Sequence, residues 1–264
     1  AVSLLLGLWL GAAFPGGAGL RILLLLRAPS WGLEAPPLGL DASFFVFTLP
    51  LLEGTLVLGL ALTFLLLSFA AAGYAATGSL RLRGGKPEIA SLPRKHLAVL
   101  AAFFLFLMAG RFWLSPYLLM LDGSSEVQGI FGYADAQSRI PGYRALAGLA
   151  ALAGAGVWWG GWRRRLAPVL AGLGGLILGG ILLVQVYPAL VQRFQVQPNQ
   201  LDRETPYIEA SLRFTRIGFG LHQLRRATFD YDGEEALDWG EAARQFTGLP
   251  VWTRATLLTT CLLY

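Results

Sequence analysis

Long apolar runs separated by short charged stretches fill the first 187 positions, after which the chain turns to mixed polar sequence. A helix that crosses the hydrocarbon core needs roughly 20 consecutive apolar residues. Residues 50–72 meet that length with Glu53 as the one charge, and Pro50 stands where a helix can begin. Residues 96–117 form a further run that closes in Phe112, Trp113 and Tyr117, an aromatic belt suited to a membrane surface. Two more runs, residues 144–160 and 166–187, flank the triplet Arg163, Arg164 and Arg165. Residues 1–14 are apolar but too short, and read as the outer part of a truncated span; the run between Arg21 and Arg27 reads as an interfacial or re-entrant segment. The pattern predicts an all-α fold: a polytopic transmembrane helix bundle over residues 1–188, followed by the start of an extracytoplasmic domain over residues 189–264.

The change at Tyr187 brings in Pro198 and Pro206 around Asp202, Arg203 and Glu204. Beyond them, Ile208, Leu212 and the stretch from Thr215 to Phe219 give an imperfect apolar stripe, which predicts an amphipathic helix over 207–221. Residues 192–264 are few for a single core and have no disulfide or metal site to staple them, so this tail is expected to be partly disordered in isolation.

Small residues recur at four-residue spacing in the last two spans, at Ala147, Ala151 and Ala155 and at Ala171, Gly175 and Gly179. That spacing puts each set on one helix face, where the missing side chains let two backbones approach. Close packing is the expectation; a flexible gate is the weaker alternative.

Composition agrees with the pattern. The chain is 55% hydrophobic and 14% charged, with a mean hydropathy of +0.56, too apolar for a soluble domain of 264 residues. The net charge of +5 is gathered in short runs between apolar segments, which argues for topology and against nucleic acid as a partner. Arg81, Arg83, Lys86, Arg94 and Lys95 face Glu88 alone in residues 74–95, and Arg163, Arg164 and Arg165 form the second basic turn. The positive-inside rule assigns both to the cytoplasm. Residues 121–143 carry Asp122, Glu126 and Asp135 against Arg139, and are expected outside together with everything after Tyr187. The single cysteine, Cys261, leaves no internal disulfide framework.

Candidate chemistry is sparse. Asp230, Asp232, Glu234 and Glu235 suggest a calcium loop, but the third acidic position and the distal glutamate are missing, and a solvated acidic turn is the better reading. His96 and His222 have no second histidine or cysteine nearby, so neither implies a metal. Gly84 and Gly85 make a turn without the lysine and hydroxyl of a phosphate loop. No catalytic residue or cofactor is implied. Inside the spans, Glu53 lies about one turn, roughly 5 Å, below the outer surface, and Arg111 about 9 Å below it on the neighbouring antiparallel span. The matched depths make them a candidate intramembrane ion pair, with separate snorkelling to the interface as the alternative.

Particular residues resemble Uncharacterised Protein Family 0182. The chain has Trp31, Gly32, Gly39 and Asp41, then the strip Phe44, Phe45, Val46 and Phe47 with Leu49 and Pro50, while Ala35 precedes Pro36 where the family usually has an acid. Arg94, His96, Leu97, Trp113, Leu114 and Tyr117 continue the likeness, as does the run of Gly132, Tyr133, Ala134, Asp135 and Ala136, without the threonine and histidine of the family loop. Met108 stands about where the family often has a lysine, and Thr253 where it has an aspartate. The resemblance implies a multi-pass protein of the bacterial cytoplasmic membrane, with a large outer domain and no assigned activity. Most of that outer domain has no counterpart here, so the chain is expected to be a fragment or truncated product. Three function classes follow in order: an anchor for an extracytoplasmic interaction or binding domain, an enzyme acting on lipid or envelope material, and a transporter or channel. Expected partners are the lipid bilayer and a protein or envelope component outside.

Overall fold

A computed structural model describes residues 18–83, 86–123 and 130–224, with Gly240 and Arg244. By contacts, Ala1–Phe219 form one compact unit and Gly220–Tyr264 a second. In the second, the described residues comprise a short turn at Leu221–Gln223 and the bond from Arg244 Nε to the Gly240 carbonyl, 3.2 Å. The first run of the chain and the acidic turn at 230–235 lie outside the described residues.

The first unit is a helical bundle. Its order is α1 (Ala18–Leu26), a hairpin of β1 (Glu34–Ala35) and β2 (Leu40–Asp41), α2 (Leu49–Ala76), a hairpin of β3 (Leu80–Arg83) and β4 (Lys86–Ile89), and α3 (Ser91–Asp122). Then come α4 (Ile140–Arg163), α5 (Ala167–Gly180), α6 (Tyr187–Val191) and α7 (Gln200–Gly218). Both hairpins are antiparallel; Glu34 pairs with Asp41 and Arg83 with Lys86. Four continuous helical stretches are long and apolar enough to cross a membrane: Phe44–Ala76, Ser91–Asp122, Asp135–Arg163 and Ala167–Gly218. The 32 residues of the second extend about 48 Å, well beyond a hydrocarbon core of about 30 Å.

These helices overrun the boundaries expected from hydropathy, and prolines explain how. Wide π-type turns occupy Phe44–Thr48, Asp135–Arg139, Ile181–Val186 and Gln192–Val196, and each ends two residues before a proline: Pro50, Pro141, Pro188 and Pro198. A proline lacks its N–H, and its ring crowds the carbonyl four residues back. In every case the residue just before the proline donates to the carbonyl five residues back: Leu49 to Phe44, Ile140 to Asp135, Tyr187 to Leu182 and Gln197 to Gln192. The extra residue opens the turn and the helix continues. Pro50 therefore lies inside a helix that starts at Phe44, and the helix does not stop at Tyr187. Pro206 also falls inside α7, which begins at Gln200 and not near Tyr207.

Neighbouring helices run antiparallel. Leu56 packs toward Gly110 and Leu107 toward Gly59 between α2 and α3. A side chain added at Gly161 would collide with Ala98 of α3, and one at Gly172 of α5 would come 2.9 Å from the Ala153 Cα of α4. The core follows these contacts: Leu105, Ala153 and Val157 in one cluster, Phe45, Leu49 and Leu114 in another.

The small-residue faces differ from expectation. Ala147 is buried, but Ala151 is half-buried and Ala155 exposed; on α5, Gly179 meets Leu149 while Ala171 is exposed and Gly175 has open space. Besides Gly179, close approach falls on Gly142, Gly154, Gly156, Gly160, Gly161 and Gly172. Several four-residue stripes coexist on glycine-rich helices, and the crossing geometry selects among them.

Candidate functional site

The bundle has two chemically distinct ends. The end where α2 begins and α3 finishes gathers a folded loop, an ion pair, a buried polar cluster and a cavity.

The loop is built around Asp41. Its Oδ1 accepts from the Ser43 N–H at 2.8 Å and the Trp31 N–H at 3.2 Å, and Oδ2 accepts from the Gly32 N–H at 2.7 Å. These donors, led by Ser43, lower the Asp41 pKa from the usual 3.8 to about 2. Gly32 and Gly39 have φ of 67° and 66°, which glycine adopts without strain. Trp31 meets Phe47 edge-on at 5.9 Å, and Phe44 meets Tyr117 at 5.5 Å. The aromatic strip thus clamps the loop onto the start of α2 and the end of α3.

Beneath it, Arg111 Nη2 donates to Glu53 Oε1 at 3.1 Å, with the two side chains 32% and 36% exposed. Four residues on, the Ser115 hydroxyl donates to the Arg111 carbonyl at 2.9 Å, just before Pro116 interrupts the α3 ladder. Hydroxyl bonds of this kind help a proline persist in a membrane helix.

The polar cluster begins where the chain enters the third long helix. Asp135 is 1% exposed; its Oδ1 accepts from Arg139 Nη1 at 2.7 Å and its Oδ2 from the Gly132 N–H at 3.1 Å. The Tyr133 N–H donates to Glu204 Oε2 of α7 at 3.2 Å, while Arg203 lies 5.1 Å over the Tyr133 ring. Tyr207 sits against Phe131 at 5.8 Å and Tyr133 at 6.5 Å. A polar helix is thereby attached to the end of an apolar bundle through a buried carboxylate. Beside Tyr207, Trp31, Phe45, Met120, Phe131 and Phe214 line a mainly apolar cavity of about 340 Å³.

Four carboxylates here have partners from the chain: Asp41 three backbone N–H groups, Glu53 and Asp135 an arginine, Glu204 the Tyr133 amide. Among the described residues no three histidine, cysteine, aspartate or glutamate side chains gather as a metal site. His96 is engaged with the Tyr74 hydroxyl at 2.9 Å.

Sequence reasoning placed Glu53 and Arg111 at similar depths, and the structure brings them together. It passed over Asp135 with Arg139, Glu204 with Tyr133, and the cavity. The Asp135–Arg139 spacing of four was a readable signal; the contact from Tyr133 to Glu204, 71 residues apart, had none. At the other end lie the basic positions expected to set the topology. Arg81 and Arg83 are on β3 and Lys86 on β4. Arg94 Nε donates to the Gly161 carbonyl at 2.8 Å, Lys95 lies 5.4 Å from the Trp162 ring, and Arg165 lies 5.9 Å from the Trp159 ring. Arg163 closes the last turn of α4 and Arg164 caps it.

Comparison with known proteins gives one family. The pattern of the Uncharacterised protein family (UPF0182) matches residues 1–261. A UPF0182 protein of Geotalea uraniireducens is 37% identical over 91% of this chain and 27% of its own length. One from Geobacter sulfurreducens is 33% identical over 98% of this chain and 28% of its own, and one from Clavibacter sepedonicus 32% over 87% and 24%. The chain thus spans about a quarter of the length of these relatives. No solved structure matches.

Proposed function

The chain belongs to the Uncharacterised protein family UPF0182, and on that premise we propose that it is a multi-pass bundle of the bacterial cytoplasmic membrane that anchors an extracytoplasmic interaction or binding domain. The observation that carries the reading is the attachment of α7: Glu204 accepts from the Tyr133 amide and Tyr207 packs on Phe131, so a polar helix is fixed to the end of the bundle. Charge supports the orientation. Arg94, Lys95 and Arg163 to Arg165 lie at one end, and Asp41, Asp122 and Asp135 at the other, which the positive-inside rule turns outward. The burial and pairing of Asp135 and Glu204 support a structural attachment at this end.

Single cysteines in a Cys261→Ser background, one in residues 74–79 and one at Gln137, test the orientation with a membrane-impermeant thiol reagent on whole cells. Labelling at Gln137 and protection at 74–79 is the expected result. The reverse would sink the outward placement of α7.

A further inference from the structure

At the Arg164 end, a cleft of about 750 Å³ opens where α3 begins, α4 ends and α5 begins. Arg94, Arg164 and Arg165 line it, with the hydroxyl-bearing Ser79 and Ser91. Arg94 is fixed by one bond, from Nε to the Gly161 carbonyl at 2.8 Å; its two terminal nitrogens bond no described residue. No described carboxylate lines the cleft or pairs with these three arginines. Arg164 has φ of 56°, a left-handed conformation in which glycine is the favoured residue. The turn itself needs no cation there, because it is closed by the backbone bond from Arg165 to Gly160 at 3.1 Å.

The walls change character along the cleft. The rim is cationic, whereas Leu97, Ala101, Val157 and Val169 give it an apolar side. Trp158, Trp159 and Trp162 are exposed around the same end, the placement that tryptophan takes at headgroup level. A cationic rim on an apolar wall at headgroup depth matches an amphiphile whose head bears a negative charge. A guanidinium recognises phosphate oxygens through paired N–H groups.

We propose that this cleft holds the phosphate of an anionic phospholipid, with the head between Arg94 and Arg164 and an acyl chain along the Leu97–Val157 wall. The inference uses the membrane placement of the bundle but not the anchoring role of α7. An inorganic phosphate ion offers the same oxygens without the chain, so the test separates the two.

The full chain is purified in mild detergent and exposed to phosphatidylglycerol, phosphatidylcholine or inorganic phosphate, and the retained adducts are counted by native mass spectrometry. Wild type is expected to keep one phosphatidylglycerol at least tenfold more than phosphatidylcholine, and phosphate is expected not to displace it at equal concentration. Arg164→Gly and Arg94→Gln should each reduce retention about fivefold, the effect of one basic residue near an anionic surface. Arg163→Gln, at the same end but outside the cleft, should leave it unchanged. Arg164→Gly keeps the left-handed turn, so its result stands even if Arg94→Gln folds poorly. Equal retention of the two lipids, equal competition by inorganic phosphate, or an Arg163→Gln loss as large as that of Arg164→Gly would each overturn the proposal.

Discussion

The two ends of the bundle handle charge in opposite ways. At the Asp135 end Asp41, Glu53, Asp135 and Glu204 each meet a donor from the chain itself, and an additional helix is fastened there. At the Arg164 end three arginines line a cleft with no described carboxylate against them. Similar apolar helices connect the two, so the contrast comes from the loops and helix termini. Asp135 and Glu204 are buried and take their partners from the chain, whereas Arg164 and Arg165 are exposed and are left to the surroundings.

The largest expected effect tests the self-sufficient end. Asp135→Ala removes the buried acceptor of Arg139 and of the Gly132 amide, and should cost about 3 kcal/mol in unfolding from mixed micelles. A loss below about 1 kcal/mol would mean that this end does not rest on internal pairing. Gly161→Ala acts between α3 and α4, where Ala98 leaves no room, and should cost about 2 kcal/mol by overpacking, while Gly175→Ala, in open space, should cost nothing. Equal effects at the two glycines would remove the distinction between them. At the open end, Arg164→Gly should raise stability by about 1 kcal/mol, since the left-handed turn no longer holds a side chain. A loss would show that Arg164 has an internal partner and would break the contrast. The smallest effect is a matter of pH. The Asp41 pKa lies below its unfolded value of 3.8, so the loop's stabilisation is complete above that value and is lost as pH falls toward about 2. Protection of the Trp31 and Gly32 amides, with the intrinsic pH dependence of exchange divided out, should fall through that window, and Asp41→Asn should abolish the dependence.

Much of the bundle was legible because hydropathy depends on composition over some twenty residues and survives errors of a few positions. The four long helices and the charged ends followed from it. Glu53 and Arg111 could be brought to one depth because rise per residue is fixed within a helix. The family likeness pointed to Trp31, Gly32 and Asp41 but not to their geometry, which depends on Asp41 folding back over ten residues to the Trp31 amide. The small-residue faces were not legible: Ala155 and Gly156 are adjacent in sequence, and only the crossing of α4 with α5 makes Gly156 the one that meets Pro168. The helix ends were misjudged for a local reason. Proline was read as a boundary, and the wide turn that carries a helix through it has no strong mark in composition. Glu204 reaches Tyr133 across three intervening helices, a contact that no local pattern encodes.

The pairing of wide turns with prolines has a consequence for descent. Each such turn carries one residue more than the regular helix, and the proline two positions after it is what makes the surplus useful. The two should therefore be inherited and lost together. A homologue that has replaced Pro188 with an ordinary helix former gains a regular turn only by also deleting a residue near 181–186; without the deletion, every side chain beyond it rotates by about 100° and Glu204 leaves Tyr133. Substitution and deletion at these four places are expected to occur as paired events, and the lengths of the long helices across relatives should differ in steps of one that track the prolines.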